Sequence, residues 1–139
     1  MSKNITQKIV FKNTSAKKLY DLYVNAKKHA MISGAPAKIN SKAGAKYSVH
    51  GGYITGENIL MEKDSLIVQT WRGVDWDSSE PDSIFIIRLV KKGKDVVLHA
   101  IHATVPDKFA AGIDKGWHDH YWNPWKQHLA GKKINRPKM

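Results

Sequence analysis

Residues 107–129, DKFAAGIDKGWHDHYWNPWKQHL, decide the fold. Phe109, Ile113, Gly116, Trp117, His120, Tyr121 and Pro124 recur at helical spacing, and Leu129 extends the stripe. The face they make is large and aromatic. Each buried ring removes about 150–250 Å² from water, so a helix over about 106–130 is expected to supply much of a core. Pro124 has no N–H to give the carbonyl of His120 and is expected to kink that helix. Gly116, beside Trp117, suits either the close approach of a strand or room for a ligand.

A helix this apolar on one side needs a partner layer, and the residues before it supply strands. Residues 66–72, LIVQTWR, form a strong strand pattern, followed by strands over 83–91 and 94–105 that meet at Lys91-Lys92-Gly93-Lys94. Earlier strands are expected near 4–12, 38–40, 45–51 and 53–62. Ser15 gives a helix-start signal, and Leu19, Leu22, Tyr23 and Ala26 share one face of a helix over about 15–25. A second short helix is expected over 27–33, stopped by Gly34 and Pro36. Strands grouped between terminal helices argue an α+β domain, antiparallel rather than alternating. The expected domain spans 1–139, with a flexible tail from about 131.

The chain has 139 residues, 42% hydrophobic and 25% charged, which suits one globular domain. It has no cysteine, so disulfides and thiolate chemistry are excluded. No run approaches the ~18 apolar residues of a membrane span, and the opening residues carry no signal-peptide pattern. A cytoplasmic protein is the expectation. The net charge of +11 draws the chain toward acidic partners. Arginine occurs only at Arg72, Arg88 and Arg136, and the lysines are scattered, so a nucleic-acid groove is not expected.

Phe11 with Ser15-Ala16, Leu19-Tyr20, His29 and Gly34-Ala35-Pro36-Ala37 resembles the opening of the SRPBCC (START-like) superfamily. The likeness is nearest to relatives of the C-terminal domain of the heat-shock-protein-90 ATPase activator. Residues 51–58, GGYITGEN, the strand end Gln69-Thr70-Trp71-Arg72, and the close Gly116-Trp117, Tyr121-Trp122, Pro124-Trp125-Lys126 and Leu129 carry it further. The resemblance spans 11–129 and rests on the order and spacing of these pieces. It implies a helix-grip fold, with a curved seven-stranded antiparallel sheet around the long helix and a cavity between them. It carries over no catalytic residue and no cofactor. It also implies a chaperone as one acidic partner.

Seven histidines invite a metal reading, but His118 and His120 diverge by about 200° around a helix, and His99 and His102 point to opposite faces of a strand. No metal site is expected; no Gly-x-Ser-x-Gly elbow is present and the acids Asp75 and Asp77 lie in a polar loop, so a cyclase- or hydrolase-type enzyme is only the second alternative to a binding or interaction module. His120 and one of His99 and His102 are expected as hydrogen-bonded groups of the interior. The aromatic residues say more. Trp71, Trp117 and Tyr121 are candidate walls of a pocket for a small hydrophobic or aromatic ligand, with Tyr53, His99 and His120 as polar points. The same rings also serve as core filling. Trp76 lies in the polar loop 73–82 and is expected to fold back over one end of the cavity as a lid, leaving Asp75, Asp77 and Glu80 in water.

Overall fold

The computed structural model describes residues 2–134. Six strands form one sheet: β1 (Ser2–Phe11), β2 (Lys46–Val49), β3 (Ile54–Glu62), β4 (Leu66–Gly73), β5 (Ser83–Lys92) and β6 (Asp95–Pro106). Their order is β1-β6-β5-β4-β3-β2 and every neighbouring pair is antiparallel. The expected seventh strand at 38–40 shrinks to a single bridge between Lys38 and Ser48. Pro36 and the turn at 41–44 leave too few residues between them for a ladder.

Helices α1 (Ala16–Val24) and α2 (Ala26–Ser33) follow β1. Each is capped as its residues dictate. Ser15 Oγ accepts from the amide of Lys18 at 3.2 Å, and Asn25 Oδ1 accepts from that of Lys28 at 3.0 Å. Such caps contribute ~1 kcal/mol each. Gly34 closes α2 in the left-handed region with φ 81°.

The C-terminal helix runs from α3 (Asp107–Trp117) through a π-turn at His118–Trp122 into α4 (Asn123–Leu129). Where a kink is expected at Pro124, the helix has this wider turn just before it. Proline cannot bond the carbonyl four residues back, and its ring crowds that carbonyl. The wider turn lets the amide of Asn123 bond His118 instead. Residues 135–139 of the expected tail lie outside the described residues.

Strand alternation puts Phe11, Ile67, Phe85, Ile87, Leu98 and Ala100 on the face under the helix, all nearly or fully buried. Trp117 lies flat on Phe85, with centroids 3.9 Å apart and planes at 5°. Trp122 donates to Gln7 Oε1 at 2.6 Å, and Gln7 Nε2 reaches Asp114 Oδ1 at 2.6 Å, which ties β1 to the helix. Gly116 meets no strand: a Cβ there would touch only the His120 ring, at 3.8 Å.

Candidate functional site

The helix–sheet interior is a stack of rings crossed by two hydrogen-bond chains. The first contains Tyr121. Its hydroxyl lies 2.9 Å from His29 Nε2 and 2.9 Å from His50 Nε2. His29 Nδ1 faces the backbone carbonyl of Tyr23 at 2.8 Å, and a carbonyl only accepts. Nδ1 therefore carries the His29 proton. Nε2 must accept, so Tyr121 donates to it and receives from His50. Burial lowers His29 to about 4 and His50 to about 4, with His29 and His120 adding to the effect at His50, so both rings are neutral. Burial pushes the Tyr121 hydroxyl well up. Beside this chain, Tyr23 donates to Gln69 Oε1 at 2.8 Å, and Gln69 donates to Asn58 Oδ1 at 2.9 Å.

The backbone holds His50 in place at some cost. His50, Gly51 and Gly52 all have positive φ, at 54°, 66° and 93°. Only the glycines adopt this without strain.

The second chain runs from Trp117 to Trp71. The Trp117 indole donates to His102 Nδ1 at 3.1 Å, so His102 donates from Nε2 to Ser83 Oγ at 2.8 Å. Ser83 then donates to the carbonyl of Trp71 at 2.6 Å. Burial lowers His102 to about 3. A serine beside a histidine suggests hydrolysis, but the proton directions oppose it. His102 holds its proton toward Ser83 and has no free lone pair to take one from it. Both side chains are enclosed, Ser83 at 0% and His102 at 1% exposure.

The residues expected to line a cavity divide into those the fold brings together and those it does not. Trp71, Trp117 and Tyr121 come together: Trp71 and Trp117 lie 6.0 Å apart, and Trp117 and Tyr121 4.8 Å. Trp76 joins them, 5.7 Å from Trp71 and stacked on Phe109 at 6.2 Å. Tyr53, His99 and His120 stand apart. Tyr53 is 45% exposed and bonds Asp75 at 2.8 Å. His99 is on the opposite face of the sheet, because Leu98 and Ala100 take the inner one. His120 is half-buried at the edge, 5.9 Å from His50. His29 enters the sequence reading only as part of the family resemblance, and His50 not at all; neither is expected at a site. Asn25 as a helix start and the Gly51-Gly52 turn were the available signals.

The loop after β4 does fold back. Arg72 secures it by donating to the carbonyls of Asp77 and Glu80, each at 2.7 Å, and to Asp82 Oδ1 at 3.2 Å. Asp75 and Asp77 remain in water, while Glu80 is half-buried. Asp119 pairs with Lys115 at 2.6 Å. Among the described residues no three histidine or acidic side chains are grouped to hold a metal ion. No described helix is long and apolar enough to cross a membrane.

Two hollows stand out among the described residues, and both open on the surface. One of about 420 Å³ lies between α1, α2 and α4, beside Lys18, Leu22, Lys28, Met31 and His128. The other, of about 300 Å³, is on the outer sheet face beside Lys8 and His99. Neither lies between the long helix and the sheet.

The family model for activator of Hsp90 ATPase homolog 1-like proteins matches residues 13–130. The chain belongs to this family. An activator of 90 kDa heat shock protein ATPase homolog from Dictyostelium discoideum is 26% identical over 98 residues, 70% of this chain and 26% of that protein. The chain thus spans about a quarter of the length of the curated relatives it matches. An HSP90 activator from Plasmodium falciparum superposes with a TM-score of 0.79 at 22% identity, covering 97% of this chain and 99% of the other. CalU16 from Micromonospora echinospora gives 0.78 at 15% identity, over 95% and 77%. These likenesses show that the activator-like family member has the helix-grip fold common to both neighbours.

Proposed function

We propose that this domain is a protein-interaction module that binds an Hsp90-type chaperone and alters its ATPase rate. The observation that carries the reading is the filled interior. Trp71, Trp76, Trp117, Tyr121, Trp122 and Trp125 are all at most 8% exposed and packed ring against ring, in stacked, tilted and edge-on pairs, between helix and sheet. A drug-sized ligand needs a cleft of ≈ 300–1,000 Å³ that encloses it. Rings occupy the place where the fold would offer one. That leaves the surface as the working part of the molecule, and its charge of +11 suits an acidic partner. The chain's family and its likeness to the Dictyostelium and Plasmodium activators support an Hsp90-type chaperone as that partner.

The test is calorimetric binding to a purified Hsp90-type chaperone, with its ATPase rate followed in parallel. Binding that weakens as salt rises, with a changed rate, is the expected result. No binding at low ionic strength sinks the proposal. Native mass spectrometry of the gently purified protein adds a second arm. A small hydrophobic molecule recovered at one per chain would replace the reading with that of a ligand carrier.

A further inference from the structure

The sheet has a second face, turned away from the helix, and its residues form ordered rows across the strands. Leu60 pairs with Val68, Val68 with Ile86, Ile86 with Ile101, and Ile101 with Thr6. The parity of each strand points these side chains outward, since Ile67, Phe85, Ile87, Ala100 and Ile9 take the inner face. Leu60 is 45% and Ile101 40% exposed. A bulge after Asn58 adds Ile59, 51% exposed, at the end of the row. Two residues further along the strands, roughly 7 Å away, Glu62 pairs with Leu66, Leu66 with Arg88, Arg88 with His99 and His99 with Lys8, so the cations sit at the β5, β6 and β1 end of this row. Beyond them lies a third row, Val90, Val97 and Val10.

An apolar row, a row that carries the cations Arg88 and Lys8 on either side of His99, and another apolar row therefore lie side by side. An antiparallel sheet with one solvated face ordinarily alternates apolar inside with polar outside. Here the outer face of three central strands is largely valine and isoleucine. The hollow of about 300 Å³ opens within this face, where Lys8, His99 and Ile101 meet.

We infer that this outer face docks an acidic segment of a protein partner, with apolar side chains on the isoleucine row and carboxylates over Arg88, His99 and Lys8. The inference rests on the reading of the chain as a protein-interaction domain, and it assigns the surface and the chemistry of the partner. Charge complementarity selects this occupant. A second copy docked on a two-fold axis would lay the cationic row against itself. A nucleic acid would find no aromatic ring here for its bases. A lipid surface is met by protruding tryptophan and tyrosine beside lysine, whereas the rows named here hold no tryptophan or tyrosine. His99 is already held below the usual histidine range, by burial first and then by Arg88, Lys8 and Lys92. A carboxylate placed over it reverses the charge part of that effect.

The test is NMR titration of the labelled protein with a synthetic peptide alternating glutamate and leucine. A lysine–leucine peptide and phosphatidylserine vesicles serve as comparison probes. Expected are shifts confined to Ile86, Arg88, His99, Ile101 and their neighbours, and a rise in the His99 titration midpoint. The doubly exposed variant Lys8→Glu/Arg88→Glu, checked for an unchanged melting temperature, should bind about tenfold more weakly. Shifts elsewhere, equal binding of the lysine–leucine peptide, or tighter binding of vesicles to this face would overturn the inference. The same variant is then set against the chaperone. If wild type and variant bind the chaperone equally, the face is wrong and the chaperone reading stands. If the wild type ignores the chaperone while the peptide seats on the face, the chaperone reading falls and the face stands.

Discussion

The hydroxyl of Tyr121 lies 2.9 Å from Nε2 of His29, and the proton between them belongs to the tyrosine. One backbone carbonyl, that of Tyr23, fixes this direction by taking the other imidazole proton. The whole chain from His50 inward is therefore polarised one way, with every donor matched to an acceptor.

Tyr121→Phe removes the one group that serves both histidines. Nε2 of His29 is left without a donor and Nε2 of His50 without an acceptor. A buried polar atom left unpaired costs about 1–3 kcal/mol. The expected loss of stability, read by urea denaturation, lies in that range or somewhat above it. An unchanged midpoint would show that the hydroxyl is not shared as described.

Stability should fall on mild acidification. His29 and His50 are lowered to about 4 and His102 to about 3, burial being the leading cause in each. An unfolded histidine titrates near 6.5. Between about pH 6.5 and 4 the unfolded chain binds protons that the folded chain refuses, so the folded state loses ground as pH drops. Their contribution is complete above about pH 6.5. For the two enclosed rings, His29 and His102, it is on the order of 3 kcal/mol or more each. Denaturation midpoints at about pH 7 and about pH 5 check this, and a flat profile would contradict it.

Trp76→Ala should cost about 3–5 kcal/mol, because the ring is 7% exposed and packed on Trp71 and Phe109. The Arg72 guanidinium, 5.9 Å over the same ring, would lose its stacking surface as well. Thermal melting reads the loss. A variant as stable as wild type would return the loop to the role of a movable lid.

Gly56→Ala is expected to disrupt β3 more than its size suggests. Tyr47 lies across from Gly56, and its ring covers the glycine to place its hydroxyl 2.6 Å from the carbonyl of Thr70. A Cβ would run into that carbonyl oxygen and into the tyrosine ring at 2.7 Å. Loss of soluble expression, or a large fall in melting temperature, is the expected outcome. Gly112→Ala, where a Cβ meets nothing within 4 Å, serves as the harmless comparison.

Much of this architecture was readable from pattern. Residues 66–72 and 83–91 are rich in β-branched and aromatic residues, and the structure has strands at Leu66–Gly73 and Ser83–Lys92. The long helix was visible in its aromatic stripe. The side of the sheet taken by His99 was harder, because Val96, Val97, Leu98, Ala100 and Ile101 are apolar on both faces and hide the parity of β6. The pairing of His29 and His50 with Tyr121 escaped notice for another reason. Their bonds to Tyr121 cross 92 and 71 residues of sequence, and no local spacing records such a pairing. The π-turn left a trace in Pro124, but a proline announces only that one bond is missing and not how the helix will absorb it.

The π-turn at His118–Trp122 also sets the helix's tolerance to length change. An α-helix advances 100° per residue, so one extra residue per turn rotates everything downstream by about that amount. Trp117 and Trp122 are five apart, yet their rings stack at 5.6 Å with planes only 16° from parallel. In an uninterrupted α-helix the two would point about 140° apart around the axis. Deleting any one residue of this turn would bring the two halves back into phase with each other and out of phase with the sheet, swinging Trp125 and Leu129 off the core. The long helix is thus a joint between two segments of fixed rotational offset, and a single codon holds that offset.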